Sequence, residues 1–158
     1  MKNAIVWGSS GAIGNAILRT LNAEGWTTIG VTKDRSKSPQ LAKLEFETNY
    51  DDIQNIEETA YLISQEIGEF DLWCYAGGDI SYEKVVDMDP ENWQRIISAN
   101  LNNVFYAIHH SLPLLAESAH IFIIGAVSER LRLPGLAAYT ASKAGLEAFV
   151  ETLGKETA

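Results

Sequence analysis

A short apolar run near the start of the chain ends directly in a glycine-rich loop, and the loop opens a segment with helical spacing. The apolar run covers residues 4–7, and the helical pattern covers residues 12–21. One glycine permits a sharp turn, a second lets the backbone approach a ligand, and a third lets the helix pack closely against the strand. N–H groups at the start of the helix then attract an anion. The sequence therefore predicts a pyrophosphate-binding loop, with a tight turn that binds nothing as the alternative. The predicted contact residues are Gly8, Ser9, Ser10, Gly11, Ile13 and Gly14.

The remaining chain alternates short β-rich runs with helical patterns. The helix after the third strand has Asp51 or Asp52 as its cap, and Asp89-Pro90 is a strong start signal for the next helix. This alternation is typical of right-handed βαβ units around a parallel sheet. We therefore predict the α/β class, with a doubly wound three-layer sheet in a single domain of residues 1–158. The predicted strands are 4–7, 27–32, 44–46, 70–75 and 121–124, and the predicted helices are 12–21, 53–67, 90–108 and 137–153.

The composition argues against several classes of partner. Lys and Arg number 12 against 21 Asp and Glu, a formal net charge of −9, which opposes binding to nucleic acid or to an anionic membrane surface. Cys74 is the one cysteine, so neither an intrachain disulfide nor a Cys-rich zinc site is expected. The first apolar run is too short for a secretory signal or a membrane span. We expect a cytoplasmic protein without a bound metal.

The residues after the second predicted strand bear on which dinucleotide binds. A carboxylate there accepts hydrogen bonds from the ribose hydroxyls of NAD, whereas a cation suits the 2′-phosphate of NADP. The strand ends at Thr32, which leaves Lys33 and Arg35 to pair with that phosphate. An inward-turned Asp34 would favour NAD instead, and an ordinary charged surface loop is the remaining alternative. We expect NADP to be favoured over NAD.

Tyr139 and Lys143 lie four residues apart, so the last predicted helix presents a phenol and an ammonium on one face. Tyrosine ordinarily ionises near pH ~10, and a fixed positive charge beside it lowers that pKa. The pair is therefore suited to give a proton to a carbonyl oxygen or to remove one from an alcohol. The alternative is a helix surface with a snorkelling lysine.

These motifs together resemble the short-chain dehydrogenase/reductase family. The glycine loop, Ala76-Gly77 after the fourth strand, Asn100-Leu101 and Tyr139-Thr140-Ala141-Ser142-Lys143 follow one another in the family order across the whole chain. The resemblance implies a Rossmann-type fold and NAD(P)-dependent oxidoreduction of a small-molecule substrate. It also implies a homo-oligomer, either a dimer or a tetramer.

The resemblance assigns roles to individual residues. Tyr139 would be the catalytic acid/base, and Lys143 would hold the nicotinamide ribose and tune the tyrosine. Asn100 would support a water-mediated proton relay through Lys143, whereas a buried asparagine bonded only to nearby backbone is its alternative. Ala76 and Gly77 would contact the cofactor.

The chain departs from the family pattern in three places. The usual serine, thirteen residues before the tyrosine, is Ala126, and Ser128 could replace it only if its loop shifts by two residues. Cys74-Tyr75 stands where two asparagines are usual, and we expect Cys74 to be a buried strand residue rather than a nucleophile. The sequence also stops before the last two strands of the family, which fits either a part of a longer protein or a truncated relative that relies on another subunit.

The departures leave alternatives to a carbonyl or imine reductase. Cys74-Tyr75, Ala126 and the GxxGxxG spacing of the loop resemble the dihydropteridine reductase branch, which suggests a quinonoid dihydropteridine-type reductase. A non-catalytic nucleotide-binding or redox-sensing protein needs only the glycine loop. A scaffold that pairs through its last two helices is a further alternative.

Overall fold

The computed structural model describes residues 2–127, 130 and 132–157. Backbone contacts divide the chain into two compact units. The sheet unit comprises Met1–Gly77 and Phe105–Ile123, and the helical unit comprises Gly78–Val104 and Ile124–Ala158.

The sheet unit contains five parallel strands in the order β3-β2-β1-β4-β5. This order confirms the predicted α/β class with a Rossmann-type sheet. Successive connections run outward from β1 to β2 and β3, and then return to the other side of β1 for β4. The carboxyl ends of β1 and β4 therefore flank the topological switch point, where ligands bind in open α/β sheets. The strands are β1 Asn3–Trp7, β2 Thr27–Thr32, β3 Leu44–Glu47, β4 Phe70–Tyr75 and β5 Leu115–Ile123.

The inner strands β1 and β2 are buried on both faces, as is usual for strands of a parallel sheet. Helix α1 (Ala12–Ala23) packs Leu18 against Val6 and Cys74 on one face. Helix α2 (Ile53–Glu66) begins where the Asp52 carboxylate accepts the N–H groups of Gln54 and Asn55, at 3.0 and 3.4 Å. Successive side chains of a strand point to opposite faces of the sheet. The strand neighbours of Val6 and Cys74 therefore face away from α1. Those residues are also buried, and they include Ile5, Trp7 and Trp73.

The helical unit contains most of the predicted helix over residues 90–108, which the structure shows to be interrupted. Helix α3 (Pro90–Ile97) starts at the Asp89 cap, a π-helical turn covers Ser98–Asn102, and α4 (Asn103–Ser111) follows. Helix α5 (Ala137–Glu156) packs against α3 and the π-helical turn. The prediction of one uninterrupted helix is therefore wrong at this turn.

Strand β5 differs most from its prediction. It covers Leu115–Ile123 rather than 121–124, so Ile124 lies just beyond its end. Phe70 pairs with Leu115 and Leu72 pairs with His120, so β5 advances by five residues while β4 advances by two. A bulge of this kind is set by pairing with β4, not by the local apolar pattern.

Candidate active site

The turn after β1 requires glycine at position 8. Gly8 has a φ of +78°, and its N–H donates to the Val31 carbonyl at 2.9 Å. The Ser9 N–H donates to the same oxygen at 3.0 Å. A Cβ on Gly8 would lie 2.4 Å from the backbone nitrogen of Gly77, so the ends of β1 and β4 meet at backbone distance. Ala76 joins this contact, because its N–H donates to the Trp7 carbonyl at 2.8 Å.

Gly14 allows α1 to lie directly on the loop. A Cβ on Gly14 would be 2.3 Å from the Gly8 carbonyl oxygen. Gly11 caps the helix without a side-chain hydrogen bond, so it leaves the N–H groups of the first turn to a ligand. Asn15 fixes the loop, since its side-chain N–H groups reach the carbonyls of Ser10 and Gly11 at 2.9 and 3.0 Å. Ile13, in the first turn, is exposed.

The two loop serines have different environments. The Ser9 hydroxyl is fully buried, and among the described residues it has no hydrogen-bond partner. The Ser10 hydroxyl accepts a hydrogen bond from the Thr32 hydroxyl at 2.7 Å. This bond joins the phosphate loop to the end of β2, where an adenosine ribose is selected in this class of sheet.

Asp34 does not occupy the end of β2. Its carboxylate caps a 3-10 turn over Arg35–Lys37, accepting the Ser36 N–H at 3.0 Å and the Ser36 hydroxyl at 2.5 Å. Lys37 pairs with it at 3.1 Å. The hydrogen bond from Ser36 and the contact with Lys37 hold the pKa of Asp34 below its ordinary value of 3.8, so the carboxylate is ionised at neutral pH. Thr32, fully buried, ends the strand instead.

The two predicted cations of this loop are exposed. Lys33 lines a cleft of about 380 Å³ with Glu47, Thr48, Asn49 and Asn55. The backbone N–H of Arg35 donates to Glu47 at 2.8 Å, which fixes the loop to the end of β3. Both residues therefore follow the end of β2 in the sheet unit, within three positions of Thr32.

Tyr50 supports the loop in a way that the sequence did not indicate. Its hydroxyl accepts the Gly8 N–H at 3.1 Å and donates to the Val31 carbonyl at 3.4 Å. Its ring packs edge-on against Trp7 and Tyr75, with centroids 6.2 and 6.4 Å apart. Burial raises the pKa of Tyr50 above its ordinary value, so this hydroxyl stays neutral. No local pattern reveals the contact, because it depends on how the segment after β3 folds back over β1.

Cys74 is a buried strand residue, as predicted. It is 1% exposed and packs in the α1 face of the sheet. Burial raises the pKa of its thiol from an ordinary value of 9.0 to about 12. The thiolate is the nucleophilic form, so Cys74 is a poor nucleophile at neutral pH.

Asn100 lies in the π-helical turn of the helical unit and is fully buried. Its amide nitrogen donates to the carbonyls of Asp79 and Ile96, at 2.6 and 2.8 Å. Its amide oxygen accepts the Asp79 N–H at 3.3 Å. The amide is buried, and these three hydrogen bonds all go to backbone groups, as the alternative to the relay expects; the relay itself stays a prediction. A Cβ on Gly78 would lie 2.7 Å from that oxygen and 3.8 Å from the Lys143 ammonium nitrogen, so both groups border the Gly78 backbone.

Tyr139 and Lys143 lie on the first turns of α5, as their spacing predicts. Lys143 is 5% exposed, and its ammonium donates to the Ile124 carbonyl at 3.0 Å. That nitrogen is 5.9 Å from the centroid of the half-buried Tyr139 ring. A buried ammonium must be hydrogen-bonded, so Lys143 is not a snorkelling surface lysine. The helical unit therefore groups Asn100, Lys143 and Tyr139.

A model of the short chain dehydrogenase family matches residues 2–158. The chain belongs to the short-chain dehydrogenase family. As a member of this family, the protein is an NAD(P)-dependent oxidoreductase. This assignment confirms the resemblance on which the predicted fold and general activity rest.

Named relatives agree with the family assignment. The chain is 31% identical over 165 residues to the 3-oxoacyl-(acyl-carrier-protein) reductase FabG of Escherichia coli, covering 99% of this chain and 68% of that protein. It is 28% identical to an uncharacterized oxidoreductase of Staphylococcus saprophyticus, covering 99% and 72%.

Solved structures share the fold of this short-chain dehydrogenase. The short-chain dehydrogenase/reductase of Serratia marcescens superposes with a TM-score of 0.91 at 20% identity, covering 99% of this chain and 68% of that one. A glucose/ribitol dehydrogenase-type member from Brucella melitensis gives 0.91 at 24% identity, covering 99% and 70%. At these identities the likeness shows the fold alone.

The region of the expected substrate-binding serine is only partly described. Ala126 lies in the segment after β5 and brings no hydroxyl. Ser128, the other candidate, lies outside the described residues. Across the described residues, no three His, Cys, Asp or Glu side chains are grouped as metal ligands. Nor does any helix in those parts of the short-chain dehydrogenase combine the length and apolar character that crossing a membrane requires.

Proposed function

We propose that this short-chain dehydrogenase reduces a carbonyl or imine of a small molecule, with NADPH as reductant and Tyr139 as proton donor. The observation that carries the proposal is the cluster in the helical unit. A buried, hydrogen-bonded Lys143 lies beside Tyr139, and the buried Asn100 amide shares the Gly78 backbone with it. A protein that only binds a nucleotide has no need of a buried ammonium beside a phenol.

The loop residues fit a dinucleotide. Gly8 and Gly14 leave no room for a Cβ, and the first turn of α1 has no side-chain cap. Backbone N–H groups at such a turn hold phosphates. Ser9, Ser10, Gly11 and Ile13 complete the proposed phosphate contacts, and Ala76 and Gly77 border the same turn. Lys143 would also hold the nicotinamide ribose.

The residues at the end of β2 support NADP over NAD. Asp34 is turned to Ser36 and Lys37, so its carboxylate does not oppose a 2′-phosphate at Thr32. Lys33 and Arg35 are exposed nearby and carry the charge that a phosphate needs.

In the proposed reaction the cofactor supplies the hydride and the protein supplies the proton. NADPH, when bound, supplies a hydride to the carbonyl carbon. Tyr139 gives its phenolic proton to the carbonyl oxygen, which completes the alcohol. The Lys143 ammonium stabilises the phenolate that remains. Asn100 orders the route by which a proton from water returns, through Lys143, to Tyr139.

Binding and turnover together test this proposal. Fluorescence titration with NADPH and NADH separates a nucleotide-binding protein from a scaffold. NADPH oxidation is then followed with small ketones, a 3-oxoacyl thioester and a quinonoid dihydropterin. We expect binding and turnover of at least one class. Tight NADPH binding without turnover of any would favour a redox-sensing role, and absence of binding would favour a scaffold.

A quinonoid dihydropteridine-type reductase is the second candidate. Ala126 favours it, because a substrate that needs only the proton from Tyr139 tolerates the missing hydroxyl. A preference for the dihydropterin over the ketones by more than tenfold in kcat/KM would select this candidate.

We expect the Lys33→Ala substitution to weaken NADPH binding about tenfold and to leave NADH binding within twofold. A lost charge-assisted contact to phosphate has this size. Arg35→Ala should act in the same direction, and Lys43→Ala, an exposed lysine after the loop, is the control. Equal losses for NADPH and NADH would show that these cations do not read the 2′-phosphate.

We expect Ala126→Ser to raise kcat/KM for a ketone about tenfold. The added hydroxyl supplies one hydrogen bond to the substrate oxygen, which is worth about 1–1.5 kcal/mol. Ala126→Cys adds similar volume without a strong donor and should change little. If the serine and cysteine variants matched, a missing hydrogen bond would not limit this enzyme.

We also propose that the chain forms a homo-oligomer. β5 is one of the two edge strands, and its Phe122 is 50% exposed beside an apolar trough of about 690 Å³ between α1, β4 and β5. Open strand edges and exposed apolar surface favour association. Sedimentation velocity should give the mass of a dimer or tetramer. A monomer at all micromolar concentrations would contradict this.

A reducing cytoplasm is the proposed location. The one cysteine, Cys74, is a buried free thiol. Fractionation of the source cells, with detection by antibody, tests the location.

A further inference from the structure

The segment after Gly78 is tied to α3 by a chain of side-chain contacts. The Asp79 carboxylate forms an ion pair with Arg95 and accepts the Ile80 N–H at 2.8 Å. Arg95 also donates to the side-chain oxygen of Asn92 at 2.7 Å. Asn92 in turn donates to Glu83 at 2.7 Å. These bonds hold both ends of the segment 79–83 against one helix.

The backbone of Asp79 holds both ends of the Asn100 amide. The Asp79 carbonyl accepts from the amide nitrogen at 2.6 Å, and the Asp79 N–H donates to the amide oxygen at 3.3 Å. One residue therefore sets which way the amide group faces. The Ile96 carbonyl, at 2.8 Å, fixes only the nitrogen end.

A displacement of Asp79 would also change the surroundings of the Lys143 ammonium. Gly78 precedes Asp79, and its backbone borders both the Asn100 amide oxygen and the Lys143 ammonium. Moving this backbone by a few tenths of an ångström would alter how the two groups face each other. A buried amide has few other partners, so its orientation depends on the Asp79 contacts.

We propose that Asp79 and Arg95 are positioning residues for Asn100: their ion pair, held by Asn92, keeps the Asp79 backbone in the place that orients the amide for the proton relay. The proposal rests on the proposed reductase function. The pair contributes little to stability, because both side chains are nearly half exposed, at 44% and 49%, and exposed ion pairs are weak. The ion pair instead acts by fixing the orientation of the Asn100 amide.

The experiment compares Arg95→Met, Arg95→Lys and Asp79→Asn with the parent chain. The first readout is the NMR signal of the Asn100 side-chain amide, assigned by its loss in Asn100→Asp. We expect two sharp, exchange-protected amide protons in the parent, and broadened, faster-exchanging ones in Arg95→Met and Asp79→Asn. Arg95→Lys retains the charge and should restore most of the protection.

The second readout is NADPH-dependent turnover of the ketone or dihydropterin that the parent reduces best. Arg95→Met and Asp79→Asn should lower kcat about tenfold, with KM and NADPH affinity within twofold. The double variant should lose no more than either single one, because both remove the same pair. Arg95→Lys should return to within threefold of the parent. Glu147→Gln, which breaks the exposed contact with Arg130 at 3.7 Å, is the matched control and should match the parent in both readouts.

Two results would overturn the proposal. One is an unchanged Asn100 signal in Arg95→Met, whatever the activity. The other is a changed signal with unchanged kcat while Asn100→Ala still impairs turnover. If Asn100→Ala itself turns over at the parent rate, the relay within the proposed function fails, which is a separate outcome.

Discussion

The Gly14→Ala substitution is expected to weaken NADPH binding about a hundredfold or more, equivalent to ~2.7 kcal/mol of binding free energy. The added Cβ would lie 2.3 Å from the Gly8 carbonyl oxygen and 2.9 Å from the Ser9 Cα, so loop backbone must move. Alanine gains about 1 kcal/mol over glycine in a helix, but overpacking costs ~1–3 kcal/mol or more. We therefore expect the free energy of unfolding to fall by up to roughly 2 kcal/mol.

Fluorescence titration and thermal unfolding measure the two effects. Gly154→Ala is the matched control, because Gly154 is an exposed helical glycine of α5 and nothing lies within 4 Å of an added Cβ. It lies outside the phosphate loop, so the control should bind NADPH within a few fold of the parent. If Gly14→Ala bound NADPH as tightly as Gly154→Ala does, close packing of α1 on the loop would not be needed for binding.

The glycine loop and the Tyr139–Lys143 pair could be predicted because each depends only on residues that are close together in the sequence. Gly8 sits where one strand ends and one helix begins, so its turn follows from neighbours in sequence. Tyr139 and Lys143 share a helix, and their spacing alone places them together. The Asp52 and Asp89 caps were predictable for the same reason, since a cap bonds to residues two or three positions away.

The errors occurred where distant pairing overrides local pattern. Apolar residues 121–124 predicted a short strand, but β5 extends back to Leu115 because it pairs there with Phe70. The apolar spacing through residues 90–108 fits a continuous α-helix. It gives no sign of the π-helical turn over Ser98–Asn102. Within this turn Asn100 bonds to the Asp79 backbone, a contact 21 positions away that the apolar spacing does not encode.

The contacts of Tyr50 and Asp79 could not be predicted at all. Each residue is polar, lies in a connecting segment and belongs to no motif. Tyr50 acts on Gly8 across 42 positions, and Asp79 acts on Asn100 across 21. The sequence indicates that buried polar groups need partners, but it does not identify those partners.

The Tyr139→Phe substitution is expected to lower kcat about a thousandfold while leaving NADPH affinity within threefold. Phenylalanine keeps the ring in the space beside Lys143 and removes only the hydroxyl. General acid catalysis by a positioned side chain contributes about 10²–10⁴-fold, and no other group in the proposed mechanism gives the proton directly. The loss should therefore appear in kcat, with KM nearly unchanged, because the hydroxyl acts in the transition state.

Single-turnover measurements, with NADPH bound before the substrate is added, isolate the chemical step from product release. Tyr61→Phe is the control, because Tyr61 is 64% exposed on α2 and should turn over as the parent does. Lys143→Met should lose activity together with NADPH affinity, since Lys143 serves both proposed roles, and this difference separates the lysine from the tyrosine. Retention of more than a tenth of the parent kcat by Tyr139→Phe, with the ring still packed, would mean that the proton comes from another group or from water.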